Sequence, residues 1–370
     1  MTTKWSREAV AAIHDAPIDR LPLIDPNAHP PILPGLDLWD YWPVQERDGR
    51  TASIAGGTLF MLLSAPVLPD PDHRHAVARI RLMHLTEAGW RDLGNLLPDG
   101  FAPGSREWSG SAIVSERHDR LTLYFTAAGH RGETATSFDQ RLFETTAAVS
   151  TVDGVPLLDA WTPPVESVVA DGLIYSRDMA GGGAIGTIKA FRDPVWFCDP
   201  ADGAEHLIFA GSLARSRSPW NGAVGLARRE EGAWKLCDPL IDADGVNNEL
   251  ERPHVVHHGG RYYCFWSTQA KVFAEGVPAG PTGLYGMVAD SLTGPWLPLN
   301  GTGLVFANPT SAPDQAYSWL VLADLSVLSF VDRPGLFGGP NVAAPAERGF
   351  GGTPAAPVHI RLNGDRTELL

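Results

Sequence analysis

Val255-Val-His-His-Gly-Gly-Arg-Tyr-Tyr-Cys-Phe-Trp266 reads as two strand-like runs meeting at a tight turn. Val, Tyr, Phe and Trp suit a pleated, half-buried surface, and Gly259-Gly260 supplies the two positive backbone angles of a short hairpin loop. Similar short apolar runs, each bounded by Gly, Pro, Asp or Asn, recur outward along the chain. Examples are Thr58-Leu-Phe-Met-Leu-Leu63, Leu121-Thr-Leu-Tyr-Phe-Thr126 and His206-Leu-Ile-Phe-Ala210. Hairpins therefore follow one another from about residue 31, with no strong helical pattern between them, and the pattern predicts an all-β sandwich, barrel or propeller. Repetition of a sheet-sized unit favours the propeller, although no fixed-period signature such as a Trp-Asp repeat is present. Residues 1–30 hold one helical stretch, Arg7 to His14, and a Pro-rich approach. They read as an N-terminal extension packed on one domain spanning residues 31–370.

Composition narrows the function. The 370 residues carry a formal net charge of −14, which repels phosphate backbones and anionic lipid headgroups, so nucleic acid and membrane surfaces are poor partners and a neutral substrate fits better. The 39 Gly and 31 Pro are scattered, so they punctuate many turns and mark no linker. Twelve Trp offer planar surfaces for the apolar face of a sugar, although most of them suit a core. Cys198, Cys237 and Cys264 are too few and too far apart for a disulfide scaffold or a zinc cluster and read as buried thiols. The polar start lacks an apolar segment followed by a small-residue cleavage site, and no stretch approaches the length of a bilayer span. The expectation is a cytoplasmic chain, or one exported by a non-standard route. His257-His258 reads as solvated surface in a turn, and no metal-ligand spacing is visible. Gly181-Gly-Gly-Ala-Ile-Gly186 lacks the Lys and the helix of a phosphate loop and reads as a flexible loop.

Three segments place an acid among aromatic, Arg or Pro residues instead of on a charged face. In Gly35-Leu-Asp-Leu-Trp-Asp-Tyr-Trp-Pro43, Asp40 lies between Trp39 and Trp42, with Asp37 nearby; the segment equally fits an Asp capping a turn before Pro43. In Phe191-Arg-Asp-Pro194, Arg192 adjoins Asp193 and is expected to lower its pKa and keep it ionised; a structural ion pair at a strand end fits the same residues. In Asn247-Asn-Glu-Leu-Glu-Arg-Pro-His254, Glu249 and Glu251 fall on one side of an extended segment, and like charges so close raise the proton affinity of one of them. Sugar transfer or hydrolysis needs one carboxylate to attack the anomeric carbon and one acid to protonate the departing oxygen, which these segments could supply. That chemistry needs no cofactor and no metal.

Together the segments resemble glycoside hydrolase family 68, the levansucrases, inulosucrases and related β-fructofuranosidases. Leu38-Trp-Asp-Tyr-Trp-Pro43 is similar to the family's nucleophile motif, Arg192-Asp-Pro194 to its transition-state-stabiliser motif and Glu251-Arg-Pro253 to its acid/base motif. Glu107-Trp-Ser-Gly-Ser111, Gln315-Ala-Tyr-Ser318 and Phe350-Gly-Gly-Thr-Pro354 resemble further family segments, so the likeness runs from about residue 31 to 360. The resemblance implies a five-bladed β-propeller with a funnel-shaped central pocket, acting on sucrose and on fructan or oligosaccharide acceptors. It implies Asp40 as nucleophile, Asp193 as transition-state stabiliser and Glu251 as acid/base. Trp39, Trp108, Ser109, Arg192, Glu249, Arg252, Gln269 and Tyr317 would bind substrate. Alternatives are an enzyme that mainly hydrolyses, a non-catalytic sugar-binding propeller, or a glycosidase for another furanoside such as arabinan. Three departures stand out. Gram-positive members carry a calcium-ligating Asp where this chain has Asn248, which argues against calcium here. Gln269 stands where relatives place Arg or His toward acceptor sugars. The segment Ile54-Ala-Gly-Gly-Thr58, read as the strand after Asp40, lacks the aromatic or His of relatives, which would open or reshape the pocket.

Overall fold

The computed structural model describes residues 2–178, 188–334 and 349–370. The Gly181–Gly186 segment lies outside them. Among the described residues the fold is all-β, with one α-helix, Arg7–Ala11, followed by the 3₁₀ turn Ala12–Asp15. No helix among the described residues is long and apolar enough to cross a membrane.

The runs read from sequence become hairpin strands: Thr58–Pro66, Arg120–Ala128, Glu205–Ser212 and Arg261–Thr268. His258 pairs with Arg261 across Gly259 and Gly260, both at positive φ. His257 and His258 are the last residues of the preceding strand and lie just before the turn, not in it. Cys264 is buried, but Cys198, the last residue of its strand, and Cys237, in the strand Ala233–Asp242, are only partly so; all three are free thiols.

The strands form antiparallel meanders collected into four sheets. One sheet has nine strands and is two meanders joined where Val44-Gln45 runs parallel to Ala112-Ile113. The first strands of successive meanders are Leu36–Gln45, Arg106–Val114, Phe191–Cys198, Glu251–His258 and Ala316–Val321. Each packs against the next, and Ser326–Val331 packs back on Leu36–Gln45, so the contacts close into a ring. The apolar runs read from sequence are the second strands of their meanders, buried along nearly their whole length, which is why they read as continuous apolar runs. The segment Phe350–Pro354 helps close the ring: Thr353-Pro354 pairs with Phe330-Val331, and the Gly352 carbonyl accepts from the Leu38 amide at 2.9 Å. Gly352 is required there, since its φ is +59° and a Cβ would sit 2.6 Å from Asp37 Oδ1.

The N-terminal segment is tied to the far side of this ring. Thr3-Lys4 runs parallel to Ile241-Asp242, and Leu21 donates its amide to the Ala307 carbonyl. Trp5 is fully buried against Trp266, Phe273 and Tyr285, and its Nε1 donates to the Thr302 carbonyl at 3.0 Å.

Candidate active site

In a regular strand consecutive side chains point to opposite faces. Each of the five inner strands breaks that rule at one place. Opposite its hairpin partner each carries one extra residue, between Trp39 and Tyr41, Trp108 and Gly110, Arg192 and Val195, Glu251 and His254, and Tyr317 and Leu320. Asp40, Asp193, Arg252 and Ser318 adopt positive φ at these bulges, an unusual conformation for residues with a Cβ. The consequence is that both members of five consecutive pairs line one cavity of about 440 Å³: Trp39-Asp40, Trp108-Ser109, Arg192-Asp193, Glu251-Arg252 and Tyr317-Ser318. Glu249 and Gln269 line it as well, so every sequence-selected site residue borders the same cavity.

The acids are held by specific donors. Ser109 Oγ donates to Asp40 Oδ2 at 2.8 Å. Glu251 accepts from Arg192 Nη2 at 2.7 Å on Oε1 and from the Tyr317 hydroxyl on Oε2. Burial, with Glu251 beside it, holds the Tyr317 pKa well above its usual value, so the phenol stays a donor. The like charges of Glu249 and Glu251 are bridged by one guanidinium, since Arg192 Nη2 also reaches Glu249 Oε2 at 3.3 Å.

Asp193 departs from expectation. Burial holds its pKa at about 7, against the opposing influence of Arg192 and with the help of the Glu251 and Asp40 charges. Arg192 offsets that burial only in part, because it aims at Glu251 and its Nε stands 3.7 Å from Asp193 Oδ2. Asp193 Oδ2 instead accepts the Arg252 backbone amide at 3.2 Å, and the Asp193 amide donates to Thr126 Oγ1 at 2.9 Å. Arg252 borders the cavity but turns its guanidinium into the ring wall. It donates to the Ser318 carbonyl and hydroxyl and to the Tyr41 carbonyl, joining two inner strands.

Residues 54–57 form a tight turn and are not part of the cavity; the strand proper starts at Thr58, and Leu63 is its residue in the wall. The wall is completed by a segment that sequence reading passed over, the 3₁₀ turn Pro71–Ala76. Its His75 ring lies edge-on to Trp39 and Trp108, with centroids 5.9 and 6.4 Å away, and its carbonyl accepts from Trp108 Nε1 at 3.2 Å. Burial, assisted by the Arg74, Arg192 and Arg333 charges, pushes the His75 pKa well below the usual range, so the ring is neutral. Asp70 and Pro71 form a helix-start signal that could have pointed to this turn. Thr126 was also passed over, and nothing in its apolar strand marks it.

No cluster of three or more potential metal-binding His, Cys, Asp or Glu occurs among the described residues. The calcium position implied by resemblance does not fit this chain either, since Asn248 brings an amide and its Oδ1 accepts from Lys189 Nζ at 2.8 Å.

Comparison with known proteins identifies the family. A family model described as Levansucrase/Invertase, glycoside hydrolase family 68, matches residues 1–223 and 218–369, reaching further toward the N-terminus than the motifs alone. A levansucrase of Erwinia amylovora is 31% identical over 412 residues, covering 100% of this chain and 94% of its own length. Among solved structures, an inulosucrase from Halalkalicoccus jeotgali bound to kestose has a TM-score of 0.88 at 36% identity, covering 100% of this chain and 95% of that one. A levansucrase from Gluconacetobacter diazotrophicus shares the fold, with a TM-score of 0.85 at 24% identity over 100% of this chain and 90% of that one. On this sequence-wide match, the chain belongs to glycoside hydrolase family 68.

Proposed function

We propose that this chain is a retaining fructosyltransferase and hydrolase acting on sucrose. In this reading Asp40 attacks C2 of the fructosyl unit while Glu251 protonates the glycosidic oxygen, so that glucose leaves and fructose remains esterified to Asp40. Glu251 then takes the proton of an incoming hydroxyl, which attacks C2 and releases Asp40. Water as acceptor gives free fructose; a sugar hydroxyl gives an oligofructan of levan or inulin type. Ser109 engages Asp40 Oδ2, which leaves Oδ1 to face the substrate. Tyr317 and Arg192 fix the Glu251 carboxyl, and buried Asp193 accepts two sugar hydroxyls and, in its ionised form, answers the positive charge that develops on the ring. Trp39 and Trp108 wall the fructosyl site; Glu249 and Gln269 face the leaving-group and acceptor side.

The observation that carries this reading is the convergence of Asp40, Asp193 and Glu251 on one cavity, each on a different inner strand at a bulge. We further read the ring as a five-bladed propeller forming one catalytic domain, with residues 1–30 as an extension. The support is the five successive meanders, two of them sharing the nine-stranded sheet. Incubation with sucrose, following glucose and fructose separately, tests the function. Glucose release is expected, with glucose in excess of fructose when transfer competes with hydrolysis. No glucose release anywhere between about pH 4 and 8 would overturn the reading.

A further inference from the structure

Lys189 stands three residues before Arg192, at the approach to the Phe191–Cys198 strand. Its ammonium donates to Asn221 Oδ1 and Asn248 Oδ1, each at 2.8 Å, and to the Pro219 carbonyl. A lysine ammonium has three donors, and three oxygens meet it. Both amides are buried and their orientations are fixed from behind: Asn221 Nδ2 donates to the Leu213 carbonyl at 2.8 Å and Asn248 Nδ2 to the Ile188 carbonyl at 2.9 Å. Carbonyl and amide oxygens turned on one positive centre are the donor types that hold a hard metal ion, but the three oxygens contacting Lys189 are neutral and a cation is already tethered there.

We infer that the Lys189 ammonium is a built-in structural cation that takes the place of a bound metal ion and positions the Glu249 and Glu251 segment against the Asp193 strand. The connection runs through named contacts. Asn248 Nδ2 reaches Glu249 Oε1 at 3.3 Å, Glu249 Oε2 meets Arg192, and Arg192 meets Glu251. Contacts that leave the chain at Lys189 thus return to it three residues later. Burial lowers the Lys189 pKa, and the charges of Glu249 and Asp178 oppose that shift. Lys189 is a positioning residue and touches no reacting atom.

The test uses thermal midpoints of the full chain, which do not depend on the sucrose reading, together with turnover on sucrose. The wild-type midpoint should not move with a chelator or with added calcium. K189A should lose about 3 °C or more and about tenfold in kcat, and ethylammonium should restore part of both where sodium or tetramethylammonium at equal ionic strength does not. N248D, with Lys189 in place, should remain indifferent to calcium, whereas K189A/N248D should gain a calcium-dependent midpoint that a chelator reverses. The inference is overturned by a wild-type midpoint that falls with chelator, by K189A matching the wild type, or by a K189A loss that ethylammonium leaves untouched. If K189A cannot be purified, N248D decides: a calcium-dependent midpoint in that variant means Lys189 does not fill the position.

Discussion

The five inner strands run between two cavities of nearly equal size and different character. The one holding Asp40, Asp193 and Glu251 measures about 440 Å³; the other, about 450 Å³, is lined further along the same strands by Trp42, Ser111, Trp196, His254 and Leu320. At the first, every strand is bulged and the wall is acidic and basic. At the second, the strands are back in register and mostly apolar, and the charged Glu46, Arg47 and Asp48 that also line it follow the end of the strand Leu36–Gln45. His254, the buried ionisable group there, has its pKa pushed down to about 4 by burial and has both nitrogens engaged, by the Arg252 carbonyl and the Val321 amide. Size therefore does not distinguish the two cavities. Backbone strain does: about 1–3 kcal/mol for each positive-φ residue is tolerated where a side chain must be re-aimed, and the regular ladder beyond it holds the strained residue in place.

If that contrast is right, substitutions at the two ends should fail in opposite ways. Asp40→Asn and Glu251→Gln should each lower kcat on sucrose by about a thousandfold or more, about 4 kcal/mol in barrier, with an unchanged thermal midpoint. Near-normal turnover in either variant would remove that residue from its role. Trp196→Ala at the other end should cost about 3–5 kcal/mol of stability in chemical denaturation, while the folded fraction keeps its KM for sucrose. A large KM change in that variant would mean the ends are not separable.

Asp193 sharpens the contrast, because in the proposed reading it is a functional group installed against stability. Its folded pKa, about 7, lies above that of an exposed Asp, so the native state binds the proton more tightly than the unfolded chain does. Stability is then lost as pH rises from the unfolded value near 4 toward 7 and is flat above. Asp193→Asn removes the titration. The variant should be inactive yet more stable than the wild type at pH 8 by about 2–4 kcal/mol, with the gap closing toward pH 4. Urea denaturation at both pH values measures it, and a gap that does not change with pH would refute the assignment.

The regular parts of this molecule were legible in its sequence because they follow local rules. Gly259-Gly260 dictates its hairpin, and runs such as Leu121–Thr126 have nowhere to go but a covered strand. The acids were legible for the opposite reason, since Asp40 between two tryptophans and Glu251 before Arg-Pro are poor surface residues. What could not be read is the phase of the strands. A bulge is set by the partner strand: Asp40 is the extra residue because Trp39 pairs with Leu63 and Tyr41 with Leu62, and nothing in residues 36–45 announces it. The same non-local cause explains the departure at Asp193, whose burial among distant strands outweighs Arg192, itself held by Glu251 fifty-nine positions along the chain. His75 and Thr126 join the candidate site through what they touch across the ring, which a one-dimensional reading does not contain.

The finest contrast is between two serines on one strand. Ser109 Oγ donates to Asp40 Oδ2 at 2.8 Å, whereas Ser111 Oγ donates to the Pro194 carbonyl at 3.0 Å and accepts the Trp196 amide at 2.9 Å. Both hydroxyls are buried and both tie neighbouring inner strands, so bulk and polarity are matched and the difference is the partner. Ser109→Ala removes a charge-assisted bond that fixes Asp40, the proposed nucleophile, and about a tenfold to hundredfold loss in kcat/KM is expected, with a small effect on the midpoint. Ser111→Ala leaves a buried amide and a buried carbonyl without their shared partner, which should cost about 1–3 kcal/mol of stability and leave kcat/KM within about twofold. Steady-state kinetics and urea denaturation of both variants decide the matter. If the two serines lose the same property, the bulge at Ser109 has no special bearing on catalysis and the division between the two ends of the ring fails.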